Sequence, residues 1–149
     1  MTAGALLTIG YEKAALTGFV AALRAAGVAT LIDVRSQPWS QRADFRRDAL
    51  RRHLLAAGIG YVHIRALGNP KQGREAAKAG DLESYRTHMA AQLVSSEGQK
   101  GLARAAALAR EKPICLMCYE RDPAYCHRSL VADALVARGL SQPTHLFAL

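Results

Sequence analysis

Residues 6–34 read LLTIGYEKAALTGFVAALRAAGVATLIDV, and the hydrophobic period changes twice within them. Leu6-Leu-Thr-Ile9 is a short apolar run closed by Gly10, which reads as a strand. Leu16, Phe19, Val20 and Leu23 then recur at helical spacing as far as Ala26, and Gly27 supplies a stop. Thr30-Leu-Ile-Asp-Val34 returns to a short run rich in β-branched residues, a second strand. Strand, helix, strand is the signature of a crossover unit, because parallel neighbours cannot be joined by a tight hairpin.

The same alternation continues along the chain. Phe45, Ala49, Leu50 and Leu54 mark one face of a helix over Asp44 to Ala57, and Gly58 ends it. Tyr61-Val-His-Ile64 reads as a third strand. Leu67 to Gly80, with Gly68, Asn69, Pro70 and Gly73 inside it, reads as a long loop containing at most a helical turn. Helices are expected over Leu82 to Val94 and Leu102 to Ala109. Pro113-Ile-Cys-Leu-Met117 is a fourth strand, Leu130 to Ala137 a helix before Gly139, and Thr144-His-Leu-Phe147 a closing strand. Uninterrupted apolar strands suit a sheet covered on both faces. The expectation is one α/β domain over residues 1–149: a mainly parallel sheet of about five strands, flanked by helices in Rossmann-like layering. No internal repeat, low-complexity tail or linker interrupts it.

Composition narrows the function. The chain has 149 residues, half of them hydrophobic, enough for one domain with a real core. No apolar run reaches the roughly 18 to 20 residues that span a bilayer. The beginning, from Met1 to Gly10, lacks the basic region of a secretion signal, so the expected compartment is the cytoplasm and no membrane partner is expected. Cys115, Cys118 and Cys126 are odd in number and crowded together, which is not a disulfide framework; reduced thiols fit that compartment. A net charge of +8, carried by fifteen arginines and five lysines, points to an anionic partner, a small molecule or a nucleic acid. A GC-rich coding sequence produces the same Ala- and Arg-rich composition without any binding role. The cofactor and the oligomeric state are not readable.

In open parallel sheets ligands bind beyond the carboxyl ends of the strands, so the residues after each strand matter most. The first strand is followed by Tyr11 and Glu12. The second gives Asp33, Arg35 and a loop ending in Trp39 and Ser40, and the fourth opens onto Cys118, Glu120, Cys126, His127 and Arg128. Asp122-Pro123 resembles an N-cap with a first-turn proline, which would set Cys126, His127 and Arg128 in the first turns of the last long helix. A helix N-terminus favours anions. Arg35 and Arg128 are therefore expected to clamp a phosphate, with Tyr11 and Ser40 nearby. The competing reading is that Asp33 or Glu120 simply holds an arginine in place. Asp33 and Glu120 could also divide acid and base roles, with His127 as another proton carrier. Cys126 near a helix start could be a nucleophile.

Two further classes stay open. Cys118, Cys126 and His127, with or without Asp33 or Glu120, could ligate zinc in a metal-stabilised domain, although no second ligand pair accompanies them. Cys115 falls on the opposite face of its strand from Cys118 and reads as a core residue. The arginines Arg42, Arg46, Arg47, Arg51 and Arg52 could grip a nucleic-acid backbone in a non-catalytic binding module, or form a solvated helix face. The absence of Gly-x-Gly-x-x-Gly, Walker A, Gly-x-Ser-x-Gly and zinc-deaminase motifs counts against those enzyme classes.

These residues resemble a known pattern. Thr8-Ile-Gly-Tyr11, Leu31-Ile-Asp-Val-Arg35 followed by Pro38 and Ser40, Gly58-Ile59 before Tyr61, Leu67-Gly68, and Cys118-x-Glu120 with Cys126-His-Arg128 are similar to the bacterial family catalogued as domain of unknown function 488. Gln41 departs from it, since an arginine is expected after Ser40, and Arg42 stands beside it. The resemblance implies an intracellular α/β domain with its motifs in one pocket, and no established activity.

Overall fold

Five short apolar segments pair in parallel into one sheet of order β3-β2-β4-β1-β5. The strands are β1 (Leu6–Gly10), β2 (Thr30–Asp33), β3 (Gly60–His63), β4 (Ile114–Cys118) and β5 (Thr144–Phe147). The computed structural model describes residues 4–149; Met1 to Ala3, part of the stretch read against a secretion signal, lie outside the described residues. Six α-helices accompany the strands: α1 (Leu16–Ala25), α2 (Arg47–Ala56), α3 (Lys71–Lys78), α4 (Leu82–Val94), α5 (Ser96–Glu111) and α6 (Arg128–Val136). None is long and apolar enough to cross a membrane.

Both faces of the sheet are covered, as the unbroken apolar strands require. Alternation along β4 sends Cys115 and Met117 to one face, where Phe19 and Leu23 of α1 and Leu50 and Leu54 of α2 pack. Ile114, Leu116 and Cys118 go to the other, against Met89 and Leu93 of α4, the alanines of α5, and Val131 and Leu135 of α6. The chain runs from β1 through β2 to the β3 edge with its helices on the first face. It returns to β4 and β5 with its helices on the second, as right-handed crossovers demand. Adjacent strands β2 and β4 therefore send their following segments to opposite faces, and a crevice opens between their carboxyl ends.

The differences from the sequence reading lie in the connections. The segment read as a loop over Leu67 to Gly80 holds a full helix, α3, which follows Pro70 and stops before Gly80 at φ +78°. Its sequence, Lys-Gln-Gly-Arg-Glu-Ala-Ala-Lys, has no large apolar residue, so it shows no apolar period. Helix α5 begins at Ser96, six residues before the expected start, because Ser95 accepts a hydrogen bond from the Gly98 N–H at 3.0 Å and caps it. The helix expected from Asp44 is broken at Arg46, between a 3-10 turn over Ala43–Phe45 and α2. Asp122 does act as a cap, accepting from the Ala124 N–H at 2.9 Å, but of a separate 3-10 turn over Pro123–Tyr125. Helix α6 starts afterwards, with His127 at its N-cap and Arg128 as its first residue.

Candidate functional site

The exit of β2 is organised by one fully buried carboxylate. Asp33 Oδ1 accepts from the Arg35 backbone N–H at 3.0 Å and from Arg35 Nε at 2.9 Å. Its Oδ2 accepts from Arg35 Nη2 at 2.7 Å and from the Tyr61 hydroxyl at 2.5 Å. Arg35 Nη1 donates to the Phe45 carbonyl at 2.8 Å, and Tyr11 stacks on Phe45 with ring centroids 4.6 Å apart. Burial on its own would lower the Arg35 pKa, but the hydrogen bonds and charge of Asp33 outweigh it and raise the value. Burial and the same carboxylate push the Tyr61 phenol up. Asp33 thus holds Arg35 in place, the structural alternative weighed for this pair; it has no free oxygen directed at a substrate.

The exit of β4 folds over the end of β1. The Tyr11 N–H donates to the Cys118 carbonyl at 3.2 Å, and the Glu12 N–H to the Tyr119 carbonyl at 2.8 Å. The approach is so close that a Cβ on Gly10 would lie 1.8 Å from the Glu120 carbonyl oxygen, so the position requires glycine. Gly68 meets the same demand against Ser36, where a Cβ would sit 2.5 Å from that residue's backbone. These two glycines bring the loops after β1, β2, β3 and β4 into contact.

His127 links the two exits. Its Nε2 lies 2.6 Å from the Val34 carbonyl, and a carbonyl only accepts, so Nε2 carries the proton. Burial lowers the His127 pKa against the opposing pull of that carbonyl, and the ring is neutral at pH 7. Burial raises the Glu120 carboxyl above the usual carboxylate range. Glu120 Oε2 is 3.5 Å from Cys118 Sγ.

The sulfurs of Cys118 and Cys126 meet beyond the end of β4, but their Cα atoms are 7.4 Å apart, wider than a disulfide spans. Cys115, on the face of β4 opposite Cys118, is a free and buried core residue as expected. Cys126 returns over the strand end because the 3-10 turn at Pro123 reverses the chain. The donor atoms of Cys118, Cys126 and His127 lie within 4.8 Å of one another, so these three residues could hold a metal. A metal there would require both sulfurs as thiolates.

A cavity of about 280 Å³ occupies the crevice. Tyr11, Arg35, Ser36 and Trp39 line one side, and Cys118, Glu120 and His127 the other. Asn69 and Arg74, from the segment after β3, complete the lining, and Arg74 was absent from the sequence reading. Arg74 Nη1 donates to Ser36 Oγ at 2.7 Å and to the Asn69 carbonyl at 2.8 Å. Two residues expected in the pocket do not line it. Ser40 is buried, its Oγ accepting from the Arg42 N–H at 3.1 Å. Arg128 is fully buried on the α6 side, donating to the carbonyls of Glu120 and Arg121. Arg35 and Arg128 therefore reach opposite faces of the sheet and form no clamp. A second cavity, of about 530 Å³, lies behind Glu120 and His127 and is lined by Leu82, Tyr85, Cys126 and Leu130.

No curated protein and no solved structure matches the chain. The family described as domain of unknown function DUF488 matches residues 15–135, from the start of α1 to the end of α6, and so includes the exits of β2 and β4. The match covers well over half of the sequence, and the chain belongs to the DUF488 family.

Proposed function

We propose that the crevice between β2 and β4 binds a small phosphate-bearing ligand, a nucleotide or the end of a nucleic acid. One observation carries this reading. Arg35 and Arg74 line the same cavity, but only Arg35 is neutralised, by Asp33 at 2.7 Å. No carboxylate lies within 4.0 Å of Arg74 among the described residues. A guanidinium without a counter-ion in a partly desolvated cleft attracts an anion and can grip a phosphate with two parallel N–H groups. Arg74 thus takes the part that Arg128 was expected to play.

The remaining lining supports the same reading. The exposed Trp39 at the rim offers a face for a base. The raised Glu120 carboxyl can deliver a proton to a leaving oxygen, and the neutral His127 keeps its Nδ1 lone pair for accepting one. Acid–base work on a phosphate ester is the chemistry such a pair fits.

The alternative of a nucleic-acid module on the arginine face draws less support. Arg42 donates to the Tyr11 carbonyl at 3.0 Å, and Arg46 Nε to the Ser40 carbonyl at 2.9 Å, so both serve to fix the β2 exit loop. Arg51 and Arg52 stand exposed on the surface, and the exposed Arg47 pairs with Asp48 at 3.3 Å.

The test is thermal unfolding with inorganic phosphate and with nucleoside monophosphates, on the wild type and on Arg74→Ala. A ligand at a hundredfold excess over its Kd stabilises by about 2.7 kcal/mol, a rise of several degrees at this size. The reading predicts that rise in the wild type and its loss in Arg74→Ala. No rise at millimolar ligand, or an equal rise in both proteins, would overturn it.

A further inference from the structure

Three ligand atoms at the exit of β4 are gathered and oriented by the fold. The sulfurs of Cys118 and Cys126 and a ring nitrogen of His127 lie within 4.8 Å of one another. Both cysteines are buried at the wall between the two cavities: Cys118 lines the smaller, Cys126 the larger, and His127 and Glu120 line both. The Cα atoms of the two cysteines are 7.4 Å apart. A tetrahedral ion about 2.3 Å from each of two thiolates spreads them to about 3.8 Å, which suits backbones set wider than a disulfide allows. His127 gives its Nε2 proton to the Val34 carbonyl at 2.6 Å, which fixes the ring and leaves the Nδ1 lone pair free. A metal-ligating imidazole is held in this way by its other nitrogen.

Arg128 braces the same sulfurs. Its side chain is fully buried, yet no carboxylate lies within 4.0 Å of it among the described residues, and its Nε finds no acceptor there. A buried cation without an anion is costly. Cys118 Sγ accepts from Arg128 Nη1 at 3.4 Å, and Cys126 Sγ from the Arg128 backbone N–H, also at 3.4 Å. Both contacts are weak while the sulfurs are neutral thiols, and both become charge-assisted when the sulfurs are metal-bound thiolates.

We propose that Cys118, Cys126 and His127 bind one zinc ion, with Arg128 bracing the two thiolates from the protein side. Two sulfurs and an imidazole select zinc over magnesium or calcium, which prefer oxygen ligands. Three protein ligands leave a fourth position, the arrangement of a catalytic rather than a purely structural ion. That position faces the crevice that Cys118 and His127 line. Glu120 stands beside it, its Oε2 3.5 Å from Cys118 Sγ. With the ion bound, the Nδ1 lone pair of His127 serves the ion, and acid–base work in the crevice rests with Glu120.

The zinc site does not depend on phosphate binding, and the experiments separate the two. The full chain is purified without an affinity tag, its metal content is measured by elemental analysis, and the metal-free protein is titrated with Co2+ as an optical stand-in for zinc. The expected result is one zinc per chain. The Co2+ form should show sulfur-to-cobalt charge transfer in the near ultraviolet and the strong visible bands of tetrahedral coordination. Cys118→Ser, Cys126→Ser and His127→Gln are expected to lose stoichiometric binding, and Cys115→Ala to keep it. Arg128→Lys should weaken zinc binding by about 10–100-fold, the usual effect of disturbing a group that supports a ligand. Arg74→Ala should keep its zinc while losing the phosphate response. The proposal fails if the reduced chain stays metal-free after incubation with zinc, or if bound Co2+ shows no sulfur charge transfer. It also fails if the two serine variants bind zinc as tightly as the wild type. Should a variant fail to fold, the zinc content and the Co2+ spectrum of the wild type still decide the matter.

Discussion

Replacing Asp33 with Asn removes one charge and keeps the shape, and the structure fixes what that should cost. Asp33 is fully buried and accepts four hydrogen bonds: three from Arg35, at 3.0, 2.9 and 2.7 Å, and one from Tyr61, at 2.5 Å. Arg35 is only 7% exposed, and Asp33 is its only carboxylate partner within 4.0 Å among the described residues. Breaking a buried ion pair by removing one member costs about 3–5 kcal/mol, because the remaining charge stays desolvated. At this chain length that corresponds to a fall in Tm of about 6–20 °C. Arg35→Met alone should be similarly harmful, since it strands the Asp33 carboxylate. Asp33→Asn combined with Arg35→Met should recover most of the loss, because no buried charge remains. Urea unfolding of the four proteins at neutral pH measures the coupling directly. A loss below about 1 kcal/mol for Asp33→Asn, the range of a surface pair, would refute the reasoning. So would strict additivity in the double variant.

Other outcomes follow from the same geometry. Gly10→Ala forces a methyl against the Glu120 carbonyl and should cost about 1–3 kcal/mol in urea unfolding, whereas the same change at Gly4, where nothing lies within 4 Å, meets only an unfavourable φ. The folded pKa of His127 lies below the ordinary 6.5, so the unfolded chain binds the extra proton. Its contribution to stability is complete above about pH 6.5 and declines as the pH falls below that; urea midpoints between about pH 7 and pH 5 should show a slope that His127→Gln flattens. Glu120 has the opposite sign. Its folded pKa is raised, so stability is lost as the pH rises through it, and Glu120→Gln should unfold later than the wild type at pH 7 and equally at about pH 4.

The strands were legible because each is a short apolar run with a glycine, proline or charge at its end. Asp33 and Arg35 were legible as a pair because they are two residues apart and share one strand end. The arginine that matters in the cavity was not. Arg74 rides on α3, whose only apolar side chains are alanines, and the Asn69-Pro70 entry with Gly80 at the exit was the sole signal of a helix there. Arg128 was misplaced for a different reason. Its position at the start of α6 was close to the expected one, but α6 packs on the face opposite α2 and carries the side chain away from Arg35. The direction of one side chain depends on which face its helix covers, and no local pattern encodes that. The meeting of Cys118 and Cys126 depends likewise on the reversal at Pro123, a turn whose path follows from the whole loop.

Amide chemical shifts followed during a titration with inorganic phosphate test the central claim most directly: that the exits of β2 and β4 build one anion-binding crevice. Saturable shifts are predicted at Ser36, Gln37, Asn69, Tyr119 and Glu120, and they should vanish in Arg74→Ala. Shifts confined to Arg47, Arg51 and Arg52, or none at millimolar phosphate, would contradict it.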